Sequence, residues 1–246
     1  MTSAIVDVRT RPVSVASEVG ERLWVLVVAG VSTGVVVAGV GSRLAMFVLR
    51  LTSPERVRGL TSDDGFEIGR FTVSGTYNLL VLGAAVGVIG AAAYRAVSPW
   101  LLGPVWLRRC TVAAASGVVV GSMLVHDDGI DFHVLQPRWL AIGLFVALPA
   151  VFGAAMAVVV DRLAAGGRPA GWRGWLVPVL LVVAFPLVIP IVLIAALVLA
   201  VWVPARRELT AAGGVPRAAS LVIRSAWAIV ALLGLVAFVR DVLALA

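Results

Sequence analysis

The densest chemistry in the chain lies in one run, His126–Asp127–Asp128–Gly129–Ile130–Asp131–Phe132–His133. It holds both histidines of the protein and three carboxylates. Imidazole together with carboxylate suits zinc or another first-row metal, and carboxylates alone suit calcium or magnesium. A divalent cation held by His126, Asp128, Asp131 and His133 is therefore one reading of the run. Its spacing fits neither the H-E-x-x-H pattern nor the calcium-loop pattern. A solvated turn is the other reading, because Asp-Gly favours turns. A second run, Asp63–Asp64–Gly65, echoes the first upstream.

Arginines complete the candidate site. Arg43 and Arg50 are seven residues apart and share one helical face. Arg43 stands about 20 residues, or roughly 30 Å, along the first apolar segment. That depth puts it near an interface, where it either snorkels to head groups or pairs with a carboxylate. The expected cation or salt-bridge cluster is Arg43, Arg50, Asp63, Asp64, Asp127, Asp128 and Asp131.

These residues must be positioned by membrane helices. The chain has 246 residues, is 61% hydrophobic and only 13% charged. Its mean hydropathy is +1.06. So few charges cannot cover a soluble domain of this length. Six long apolar segments follow one another: about Leu23–Leu49, Tyr77–Val97, Val105–Val125, Trp139–Val160, Trp175–Val203 and Ser220–Val239. The fold class expected is an all-α integral membrane bundle of about six transmembrane helices. Residues 1–22 form a polar tail, and residues 23–161 a four-span core carrying the two acidic loops. Residues 162–246 form a two-span C-terminal appendage.

Small residues recur every four positions in the core spans: Gly30, Gly34, Ala38 and Ser42; Gly83, Gly87 and Ala91; Ala113, Gly117 and Gly121. Such stripes let helix backbones approach closely in lipid, within one chain or between chains of a homo- or hetero-oligomer. Tryptophans such as Trp24, Trp100, Trp139 and Trp202 fall near span ends, as an interfacial belt requires. Pro186 and Pro190 divide the fifth segment. A kinked single helix is the expectation, because a re-entrant turn needs burial against protein; the re-entrant alternative would return Arg206, Arg207, Arg217 and Arg224 to the side of the N-terminus.

The net charge is +7 and every basic residue is Arg. This fits contact with a lipid bilayer bearing anionic head groups, and no basic, aromatic-interleaved stripe suggests nucleic acid. Cys110 is the only cysteine, which excludes an intramolecular disulfide and a Cys-based metal site. With six spans the arginines divide almost equally between the two faces. A cytoplasmic N-terminus in a cell (inner) membrane is preferred, because both acidic loops then face outward and the acid-free Arg95–Arg109 loop faces inward.

Arg43–Leu44–Ala45–Met46 with Arg50, Gly75–Thr76, and Asp131–Phe132 before Pro137 together resemble a group of multi-spanning bacterial membrane proteins. The resemblance covers about Leu23–Arg162 and implies a membrane fold, with no activity attached. Span interiors hold no Asp or Glu, and no phosphate loop or nucleophile motif is present. The leading expectation is a small transport or channel-like protein, or a subunit of a membrane complex, with an outward acidic face. A metal-dependent membrane enzyme using the His126–His133 loop is the alternative, and a purely structural partner the third.

Overall fold

The computed structural model describes residues 14–54, 72–125, 136–169, 171–211 and 217–245. Among these the chain is helical throughout, with no strand. Six helices are long and apolar enough to cross a membrane.

The first helix begins two turns before the apolar run. Ser14 caps it: its backbone is extended and its Oγ accepts from the Ser17 amide at 3.2 Å. Helix α1 (Val15–Thr33) continues through a π-helical stretch, Gly34–Val40, into α2 (Gly41–Thr52), one rod of 38 residues. Helix α3 (Val73–Val97) is capped by Thr72, whose Oγ1 accepts from Gly75 at 3.1 Å. A short turn of 3₁₀ helix, Ser98–Trp100, and Gly103 at φ +89° lead into α4 (Val105–Leu124). Helix α5 (Arg138–Gly166) ends at Gly167, whose φ of +69° only glycine adopts readily.

The glycine stripes decide which helices touch. Gly30 and Gly34 face Gly83, Gly87 and Val88, so that α1 and α3 meet backbone to backbone. A Cβ on Gly30 would lie 2.6 Å from Val88 Cα, and one on Gly34 would run into the Gly83 carbonyl oxygen. The approach is reciprocal: a Cβ on Gly83 would lie 2.7 Å from the Gly34 carbonyl oxygen. The α4–α5 pair uses the same device more loosely, with Gly117 and Gly121 against Val146 and Gly153 against Ser116. The π stretch lies where α3 presses on the first rod, which joins local irregularity to close packing.

The fifth apolar segment differs from the kinked helix expected. It forms two helices, α6 (Arg173–Ala184) and α7 (Val188–Ala211), separated at Phe185–Pro186–Leu187. The pair as a whole starts and finishes at the same end of the bundle. At the foot of α6, Trp24 Nε1 donates to the Gly174 carbonyl at 2.7 Å, and Trp175 lies against Gly20. Higher up, Leu181, Val182 and Phe185 pack against a buried cluster of Val27, Val31, Ala84 and Val88. Val188, fully buried, starts α7 at that same height among Val31, Ala84 and Val88. Ala195 and Leu199 then pack beside Trp24 and Tyr94, and Arg207 reaches Glu18 near the start of α1. Helix α7 therefore returns the way α6 came. The protein contacts that a re-entrant turn requires are supplied by α1 and α3.

Helix α8 (Arg217–Leu245) runs along α4. Gly234 meets Val119, and Phe238 and Val242 join Leu49, Val125 and Ala141 at the end of the bundle opposite the N-terminus. Its apolar window leaves no residue buried inside the protein, as expected of a helix facing lipid on its remaining sides.

Candidate functional site

The acidic cluster named from the sequence, Asp63, Asp64, Asp127, Asp128 and Asp131, lies outside the described residues, as do the proposed metal ligands His126 and His133. Among the described residues no group of three metal-ligating side chains is present. The helices that frame both loops are described. The ends of α2 and α4 and the starts of α3 and α5 meet at the end of the bundle opposite the N-terminus. There Ser53 Oγ accepts from the Gln136 amide at 3.0 Å, which ties the start of the first loop to the end of the second.

Arg43 and Arg50 do share a face: with Val40, Leu44 and Phe47 they line one shallow groove on the first rod. The guanidinium of Arg43 sits over the first turn of α3. A Cβ on Gly75 would lie 2.8 Å from its Nη2 and 2.8 Å from Thr72 Oγ1. A side chain at 75 would require the guanidinium and the Thr72 hydroxyl to shift.

The turn between α6 and α7 is a second candidate. Phe185 leaves the helix at φ −128°, ψ 75°, and Pro186 has no amide to continue it. Val188 and Ile189 donate back to the carbonyls of Phe185 and Pro186 at 2.9 and 3.0 Å. Tyr77, near the start of α3, donates its hydroxyl to the Ala184 carbonyl at 3.1 Å. The side of the turn facing α1 and α3 is packed, whereas Pro186 and Leu187 are exposed.

Two polar clusters at the N-terminal end escaped the sequence reading. In the first, Glu18 accepts two hydrogen bonds on each oxygen. Arg22 donates to Oε1 at 3.1 and 2.7 Å, and Arg207 to Oε2 at 3.0 and 2.7 Å. The guanidinium carbons of Arg22 and Arg206 each lie 5.1 Å from the centre of the Trp202 ring. In the second, Asp161 at the end of α5 accepts from the Tyr94 hydroxyl at 2.8 Å and from Arg109 at 3.3 Å, joining α3, α4 and α5. The intervals Glu18–Arg22 and Trp202–Arg206 are i,i+4, a helical-neighbour signal readable in the sequence. The contact between those two pairs spans most of the chain and has no local signature.

No family model, curated protein or solved structure matches the chain.

Proposed function

We propose that the protein is a small transport or channel-like membrane protein, or the spanning subunit of such a complex, with its N-terminus in the cytoplasm and its acidic loops outside. The observation that carries this reading is the interrupted α6–α7 pair. Non-helical backbone at membrane depth is tolerated where it is buried in protein or lines a water-filled cavity. Here one side of the turn is packed on α1 and α3 and the other carries exposed Pro186 and Leu187. Broken helices of this kind bring polar backbone groups to the middle of a membrane for a passing solute.

The arginines support the orientation. Arg22, Arg95, Arg108, Arg109, Arg162, Arg168, Arg173, Arg206 and Arg207 fall at the N-terminal end of the helices. Arg43, Arg50, Arg138 and Arg240 are the described arginines at the opposite end. The return of α7 removes the near balance that six passages would give, and the excess supports a cytoplasmic N-terminus. The acidic loops then face outward, where Asp63, Asp64, Asp127, Asp128 and Asp131 would concentrate cations at the mouth of the bundle.

The test is flux. Protein reconstituted into sealed liposomes should pass monovalent or divalent cations faster than empty liposomes, and Tyr77→Phe or Pro186→Ala should change the rate. Liposomes as tight as the protein-free control to cations and protons would overturn transport by this chain alone. Stoichiometric zinc in protein purified without chelator would instead favour the metal-enzyme reading.

A further inference from the structure

At the foot of the re-entrant pair, positive charge converges from three helices. Arg22 comes from α1, Arg95 from α3, and Arg206 and Arg207 from α7. Arg95 is half-buried on α3 next to Tyr94, which shares a buried cluster with Trp24 against which Leu199 of α7 packs. Glu18 answers Arg22 and Arg207. Glu21 turns elsewhere, its Oε1 3.6 Å from where a Cβ on Gly167 would stand. Converging guanidiniums repel one another unless an anion lies between them. Arginine forks match phosphate oxygens in a way that a neutral or cationic group cannot.

The surroundings point to a lipid as the bearer of that phosphate. Trp202 is 43% exposed beside the arginines, in the position of an interfacial anchor. Directly up α7 lie Leu197, Val198 and Val201 at 68%, 57% and 67% exposure, an apolar flank for acyl chains. We propose that Arg206, stacked on Trp202 beside the Glu18-held Arg22, and Arg95 at the same end of α3 form a binding site for the phosphate of an anionic phospholipid headgroup. The occupied site fixes the foot of α7 to α1 and α3, and so sets the position of the re-entrant turn.

Protein in phosphatidylcholine vesicles, with or without phosphatidylglycerol, and protein in detergent with inorganic phosphate supply the comparison. Phosphatidylglycerol should raise Tm, and native mass spectrometry should show it retained. Arg206→Gln, an exposed change compatible with folding, should weaken retention about tenfold, the loss of one charge-assisted contact. Arg240→Gln, at the far end of α8, should leave retention unchanged. Equal retention by wild type and Arg206→Gln would overturn the site. An equal loss in Arg240→Gln would reduce it to general surface charge, and stabilisation by inorganic phosphate alone would overturn the headgroup assignment.

Discussion

Trp24 and Gly174 are joined by the indole N–H of one and the backbone carbonyl of the other, 2.7 Å apart and buried. This bond links the first turns of the apolar run in α1 to the foot of α6, across 150 residues of sequence. Trp24→Phe keeps most of the packing but leaves the Gly174 carbonyl without its donor. The expected loss is about 1–3 kcal/mol, the cost of an unsatisfied buried acceptor. Thermal unfolding in detergent measures it, and an unchanged Tm would show that α6 is not held there.

Glycines 34, 87 and 143 separate close approach from helix propensity. A Cβ on Gly34 or Gly87 meets a backbone carbonyl of the facing helix, and backbone cannot rotate away. Gly34→Ala and Gly87→Ala should each destabilise by about 1–3 kcal/mol or more through forced separation of α1 and α3. Gly143 has nothing within 4 Å of an added Cβ. Gly143→Ala should be neutral or stabilising by up to about 1 kcal/mol. Equal effects at the three positions would contradict the α1–α3 contact.

The path of the chain can be read by labelling. In a Cys110→Ala background, cysteine at Ser17 and at Ala211 should react from one face of the membrane. Cysteine at Gln136 and at Leu243 should react from the other. Six passages would place Leu243 with Ser17, so the Leu243 result discriminates. An impermeant thiol reagent applied to intact and lysed cells gives the answer. If Ser17 stays protected until lysis while Gln136 reacts outside, the N-terminus is cytoplasmic.

Arg43, over the first turn of α3, lies at the end of the bundle from which the His126–His133 loop departs. A bridge from Arg43 to Asp127, Asp128 or Asp131 should appear in a double-mutant cycle. Arg43→Ala should lower Tm, and a second Asp→Ala change should then add less than its separate effect. The fully buried limit of about 3–5 kcal/mol should not be reached, because water screens charges near the interface. Additivity at all three aspartates would leave Arg43 as a residue that snorkels to head groups.

Much of this architecture is legible in the sequence, because lipid imposes it directly. A run of apolar residues long enough to span must be helical, and Trp24, Trp139 and Trp202 mark where the runs leave the hydrocarbon. Gly30, Gly34, Gly83 and Gly87 announced close approach, but a small-residue stripe does not name its partner. The choice of α3 for α1 and α5 for α4 appears only in the contacts. Pro186 announced a break and could not tell a bend from a reversal. The direction of α7 is settled by Arg207 reaching Glu18, 189 residues away, and no local pattern encodes that contact. The arginine cluster around Trp202 was hidden for the same reason. The acidic loops, richest in chemistry on paper, lie outside the described residues.

The contact between α1 and α3 also governs how the molecule deforms. Where glycine meets backbone there are no rotamers to exchange, so these two helices translate and tilt as one beam. Helices α6 and α7 are held on that beam by side chains alone, through the packing of Val188 among Val31, Ala84 and Val88 and through the links of Trp24 to Gly174, Tyr77 to Ala184 and Arg207 to Glu18. Compliance is therefore concentrated in the returning segment. A force on the bundle moves Phe185–Leu187 before it parts the glycine seam.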